Sequence, residues 1–130
     1  MVRYVIFDTN IWIYLLEGRS ELTTLKNQIA QKQIIPILTP VVFAEVLGWQ
    51  EIHVEQEKNI RKYFASLDML TIHQEHWEQI ISWRQQSIKK KMPDLLIAAT
   101  AKKAGYPIFT RNINDFNQLG LEIENPWETQ

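Results

Sequence analysis

The chain has 130 residues, no cysteine and a formal net charge of −1, from 14 Lys and Arg against 15 Asp and Glu. The lack of cysteine excludes disulfides, thiolate metal sites and cysteine nucleophiles. The near-neutral balance excludes a surface that is basic throughout, although a local basic patch remains open. Hydrophobic residues make up 45% of the chain, which fits one globular domain with its own core, residues 1–130. The first apolar run, Tyr4 to Phe7, is short and stops at Asp8, so no signal peptide is expected. Pro36, Pro40 and Glu45 break up the longest apolar region, and no bilayer-spanning segment is expected. A cytoplasmic location is the default.

In chain order, Tyr4-Val5-Ile6-Phe7 is apolar without alternation, the pattern of a strand buried on both faces of a parallel sheet. Thr9 and Asn10 carry cap-type side chains, and Ile11 to Leu16 reads as a helix closed by Gly18. A polar helix is expected from Ser20 to about Lys32, then a short strand, Ile34 to Leu38, placed near an edge by Pro36. Thr39 and Pro40 form an N-cap and first-position pair for a helix reaching about Gly48. A charged helix from Glu55 to Ser66 precedes a third strand, Met69 to Ile72. Another helix runs from Glu75 to about Ile88, ahead of Lys89-Lys90-Lys91. Pro93 begins the most apolar helix, which ends at Gly105. Pro107 to Phe109 and Leu121 to Ile123 are the last two strands. Strands alternating with helices predict an α/β protein: a three-layer α/β/α sandwich around a mainly parallel, five-stranded sheet.

Four acids fall on the edge where strands of such a sheet end and helices begin. Asp8 follows the first strand and Asp115 lies just past the fourth; Asp94 heads the apolar helix. Glu45 has Val41, Val42, Gly48 and Trp49 as helical neighbours, so it is expected to face apolar company and to need a partner. Taken singly, Asp8 and Asp94 read as helix-capping or dipole-favouring acids and Asp115 as a turn residue. Together, in a parallel sheet, they meet at one edge, where ligands bind. Converging carboxylates repel, so a proton or a cation must sit among them. Oxygen ligands alone favour Mg²⁺, with Mn²⁺ as the other candidate. Such an ion polarises a phosphodiester and activates water for in-line attack. Asn10, Thr110 and Asn112 can orient a carboxylate or water, and Arg111 reads either as a fork that meets a phosphate or as a solvated rim charge. Lys89 to Lys91 read either as a solvated face or as a track for a nucleic-acid backbone. His53, His73 and His76 read as surface residues, with only His73 a candidate for the acidic edge. Trp12, Trp49 and Trp77 read as core or interface residues.

From Tyr4 to Trp127 the chain resembles the PIN-domain ribonucleases, especially the toxins of VapBC-type toxin–antitoxin pairs. The matching pieces are Phe7-Asp8-Thr9-Asn10, Thr39-Pro40 through Glu45, Pro93-Asp94 through Ala101, Thr110-Arg111-Asn112 with Asp115-Phe116, and Asn125-Pro126-Trp127. The resemblance implies that Asp8, Glu45, Asp94 and Asp115 form an acidic metal-binding quartet supported by Thr110 and Asn112. It implies Mg²⁺-dependent endonucleolytic cleavage of RNA, a homodimer, and an antitoxin that blocks the site. The Ile11–Leu16 helix and Trp49 are candidates for the antitoxin groove, the dimer contact or the core. The alternatives are a PIN nuclease of RNA processing with no antitoxin, or a non-catalytic acidic pocket. An aspartyl-nucleophile phosphatase would carry an acid two residues after Asp8, where this chain has Asn10.

Overall fold

The computed structural model describes residues 1–128. Strand β1 (Arg3–Phe7) leads into α1 (Thr9–Leu16), and a 3₁₀ turn at Ser20–Leu22 into α2 (Thr23–Ala30). Then come β2 (Ile34–Ile37), α3 (Pro40–Leu47), α4 (Val54–Ala65), α5 (Gln74–Gln85) and α6 (Met92–Ala104). Strand β3 (Ile108–Phe109), a second 3₁₀ turn at Ile113–Asp115 and β4 (Ile123–Glu124) complete the chain. The sheet has the order β2-β1-β3-β4, and every pairing is parallel.

The central place of β1 follows from its side chains. Val5, Ile6 and Phe7 are consecutive, point alternately to the two faces, and are all fully buried. Both faces are therefore covered by helices, which makes the three layers expected from the sequence. Phe7 stacks on Phe109 of the neighbouring strand and tilts against Trp12 of α1. The other large contribution comes from α6, where Leu95, Ile97, Ala98, Ala99, Thr100 and Ala101 are buried. Thr100 satisfies its hydroxyl inside the helix by donating to the Ile97 carbonyl at 2.7 Å. The helix stops at Gly105, whose φ of 76° is the left-handed closure that a side chain disfavours.

The fifth strand shrinks to one bridge. Met69 pairs with Leu38, flanked by hydrogen bonds from the Leu38 N–H to the Asp68 carbonyl and from the Leu70 N–H to the Leu38 carbonyl. The apolar run from Met69 to Ile72 has too little partner to extend along, because the β2 chain turns into α3 one residue after Leu38. Pro36 is paired with Val5 inside the edge strand β2, as its missing N–H permits.

Buried Thr39 caps α3 by accepting a hydrogen bond from the Val42 N–H at 3.3 Å, and Pro40 follows at the first helical position. Thr39→Ala is expected to cost about 1 kcal/mol. Urea unfolding should show a lower midpoint at unchanged slope. An unchanged midpoint would mean that the cap contributes nothing. Among the described residues no helix is long and apolar enough to cross a membrane.

Candidate active site

Asp8 sits in the step from β1 to α1, at the helix N-cap, and is only 7% exposed. Its Oδ1 accepts from the Thr9 N–H at 2.8 Å. Its Oδ2 accepts from the Thr110 hydroxyl at 2.8 Å and from the Asn10 amide at 3.3 Å. Thr110 is fully buried at the end of β3, and its oxygen in turn accepts from the Asn112 N–H at 3.0 Å. The backbone repeats the tie, since the Asp8 N–H donates to the Phe109 carbonyl at 2.8 Å. The Asn10 side-chain oxygen accepts from the Arg111 N–H at 3.4 Å. Three of these contacts, Thr110 to Asp8, Asp8 to Phe109 and Arg111 to Asn10, join the start of α1 to the end of β3, which lies 102 residues on for the Thr110–Asp8 pair.

Asp94 lies in the first turn of α6 and Asp115 in the 3₁₀ turn after β3, both half-buried. The acids are near enough to feel one another's charge. Burial is the largest cause raising the Asp8 carboxyl above its ordinary value; the Thr110 and Thr9 hydrogen bonds lower it, and the charges of Glu45 and Asp115 raise it further. Asp94 is pushed up to about 6 by burial first, then by the charges of Asp115, Asp8 and Glu45, with Lys91 pulling the other way. Among the described residues, none of the four acids forms an ion pair with Lys, Arg or His.

Glu45 departs from expectation. It is exposed, not packed among apolar neighbours, because Val42 and Val46 take the inward stripe of α3 and leave Glu45 on its flank. Its carboxylate is positioned by the Thr9 hydroxyl, which donates to Oε1 at 2.6 Å. By sequence Thr9 reads only as a cap residue. In fact Asp8 takes the N-cap, while Thr9 and Asn10 turn their polar ends toward the acids. A hydroxyl one residue past a strand-ending Asp was the available signal.

Arg111 and Asn112 are exposed beside this edge. The Arg111 guanidinium lies 3.7 Å from the Trp127 ring centroid, and Trp127 packs edge-on against Tyr14. That stacking leaves the N–H edges of the fork available to an anion. The chain after β4 is fixed by the Glu128 N–H donating to the Glu21 carbonyl at 2.9 Å. The histidines stand elsewhere: His53 and His73 precede α4 and α5, and the buried His76 accepts from the His73 N–H at 2.8 Å. His73 borders a hollow shared with Thr100 and Lys103, near the end of α6 remote from Asp94. Of the tryptophans, Trp12 is buried, Trp49 half-buried and Trp77 exposed.

Among the described residues no three His, Asp or Glu side chains are grouped closely enough to hold a metal ion as they stand. The donor set is nonetheless one that suits a hard, hydrated cation. It is made of oxygen, has no ion-pair partner among the described residues, and holds in Asp94 a carboxyl pushed up to about 6 by burial first and by the neighbouring charges second. Mg²⁺ binds directly to only one or two carboxylates and keeps several waters, so carboxylates spaced around it reach it partly through those waters.

A family model for the PIN domain matches residues 5–121. Three solved structures illustrate the likeness. A toxin–antitoxin complex from Klebsiella pneumoniae is 29% identical, with a TM-score of 0.72 over 96% of this chain and 99% of that one. VapBC2 from Rickettsia felis, bound to a DNA fragment from its promoter, is 22% identical with a TM-score of 0.73 over 96% and 99%. VapBC-1 from nontypeable Haemophilus influenzae is 19% identical with a TM-score of 0.73 over 95% and 98%. At such identities the last two speak to the fold alone. No curated protein matches the sequence.

Proposed function

From the premise that the chain belongs to the PIN-domain family, we propose that it is a Mg²⁺-dependent endoribonuclease and the toxin of a toxin–antitoxin pair. The observation that carries the reading is four carboxylates from remote parts of the chain, sensing one another at one sheet edge with no ion-pair partner among the described residues. Asp8, Asp94, Asp115 and Glu45 would hold the ion, with Mn²⁺ able to replace Mg²⁺. When bound, the ion supplies a polarised phosphodiester and a water of lowered pKa.

The chain's own residues do the rest. Thr110, Asn10 and the Thr9 N–H fix both oxygens of Asp8, so its lone pairs face one way. Thr9 sets the Glu45 carboxylate. Asn112 holds the Thr110 oxygen through its N–H, and Arg111 presents its fork to a substrate phosphate. The solved complexes support an antitoxin partner, because the likeness to the Klebsiella assembly extends over almost the whole chain. A homodimer in the cytoplasm completes the proposal. Trp77 and Ile81, exposed one turn apart on α5, give it a face to pair through.

Purified protein should cut RNA with Mg²⁺, lose that activity in EDTA, and lose it equally as Asp8→Asn. Cleavage that persists alike in all three conditions would rule out the metal mechanism. Growth arrest relieved by a small protein encoded next to this chain would support the toxin role. Robust RNA cleavage with no such neighbour would point to RNA processing.

A further inference from the structure

A concavity of about 510 Å³ lies between α5 and α6, lined by Arg84, Ser87, Ile88, Lys89, Lys90 and Lys91. It contains four cationic side chains and no carboxylate. Among the described residues no acid pairs with Arg84, Lys89 or Lys91, and the three line one concavity. These three are exposed. Such a cluster resists its own assembly through like-charge repulsion, and an anion relieves it.

The cluster is also held in place. Ser87, at a φ of 64°, ends α5 abruptly, so the lysines that follow are strung along a short connection instead of spreading round a helix. Lys90 is half-buried and anchors that connection, its ammonium donating to the Asn114 carbonyl and the Asn117 side-chain oxygen. Asn114 adjoins Asp115. Lys91 immediately precedes α6, its carbonyl accepting from the Leu95 N–H at 3.0 Å, and its charge reaches Asp94. The basic concavity thus borders the acidic edge and is fastened to the turn that carries one of the acids.

An RNA strand has a phosphate at every residue. A centre of four carboxylates accepts only the phosphate that meets the metal and repels those on either side. We propose that the Arg84–Lys89–Lys91 concavity binds phosphates of the RNA strand next to the cleaved bond, as a substrate subsite separate from the metal centre. The inference rests on the ribonuclease reading above.

The test is Arg84→Ala/Lys89→Ala, which spares Lys90 and Lys91, beside Lys58→Ala/Lys62→Ala, which removes the same charge from α4. Cleavage of a twelve-nucleotide single-stranded RNA and of a dinucleotide is followed in Mg²⁺ at several NaCl concentrations. For the longer RNA, the first variant should raise KM roughly tenfold and reduce the slope of log binding against log salt by about 1.4, the effect of two lost contacts on a single strand. Its kcat, its dinucleotide kinetics and the α4 variant should match the parent protein. Equal KM and slope in both variants, or an equal loss on the dinucleotide, would overturn the subsite. Unchanged RNA kinetics together with lost binding of polyglutamate would assign the concavity to an acidic protein segment and also overturn it. If the parent protein cleaves no RNA, the ribonuclease reading fails first, and this is distinguishable because no variant is then needed to see it.

Discussion

Asp94→Asn is expected to abolish metal-dependent cleavage and, at neutral pH, to make the metal-free protein more stable. Disturbing a group that only orients a metal ligand already costs about 10–100-fold, so removing a ligand's charge should cost at least about 100-fold in activity. The stability change has the opposite sign. Burial and the neighbouring acids push the Asp94 carboxyl up to about 6 in the folded chain, from the ordinary 3.8 of an unfolded one. Between those values the unfolded chain has given up the proton and the folded chain keeps it. Stability of the wild type therefore falls as pH rises through that window and then levels off. The amide removes this contribution. Urea midpoints of the two proteins should converge near pH 4 and separate as the pH approaches 6, with the variant higher. Asp8 adds to the wild-type slope in the same sense, because its carboxyl is also raised. Metal binding must displace the proton, so affinity for Mg²⁺ should climb with pH up to about 6. A variant that loses activity and is also less stable at pH 7 would show that Asp94 supports the fold rather than the chemistry.

Thr110→Val is the second large effect. Valine keeps the shape and removes the hydroxyl that donates to Asp8 and accepts from the Asn112 N–H. A hydrogen bond to a charged group contributes about 1.5–3 kcal/mol, and the stability loss should lie in that range. Metal affinity should drop about 10–100-fold, because Asp8 Oδ2 then keeps only its longer contact with the Asn10 amide. Thr110→Ser retains the hydroxyl and should recover most of the affinity. Magnesium titration by calorimetry separates the outcomes. Equal affinity in Val and Ser variants would remove Thr110 from the positioning of the centre.

Much of this was legible because it depends on local patterns. The unalternating run before Asp8 placed β1 between two layers, the Thr39-Pro40 pair located the start of α3 to the residue, and Gly105 marked the end of α6. The positions of the acids at one edge follow from parallel topology, which fixes where every strand ends. What remained hidden depends on rotation about a helix axis or on distant partners. Val41 and Val42 surround Glu45 in sequence, but only the contact between α3 and its neighbours decides which stripe turns inward. The third strand was apolar enough to form, yet its fate was set by how soon β2 turns into a helix. The Thr9–Glu45 and Lys90–Asn117 bonds span 36 and 27 residues and have no local signature. Arg111 was read as a phosphate ligand, but its rest on Trp127 could only be seen in three dimensions.

Strand β1 lies in the middle of the sheet, and one of its two neighbours, β3, follows it in the chain only after β2 and the helices α1 to α6. On the ribosome, β1 emerges with β2 to pair with but must wait for Phe109 before its other edge is covered. The hydroxyl that fixes Asp8 arrives one residue later still. A nascent chain that has passed Asp94 but not reached Thr110 carries Asp8, Glu45 and Asp94 yet lacks the hydroxyl that holds Asp8. For a protein proposed to destroy RNA, the order of the chain means that the proposed centre is incomplete until Thr110 and Asp115 have been made.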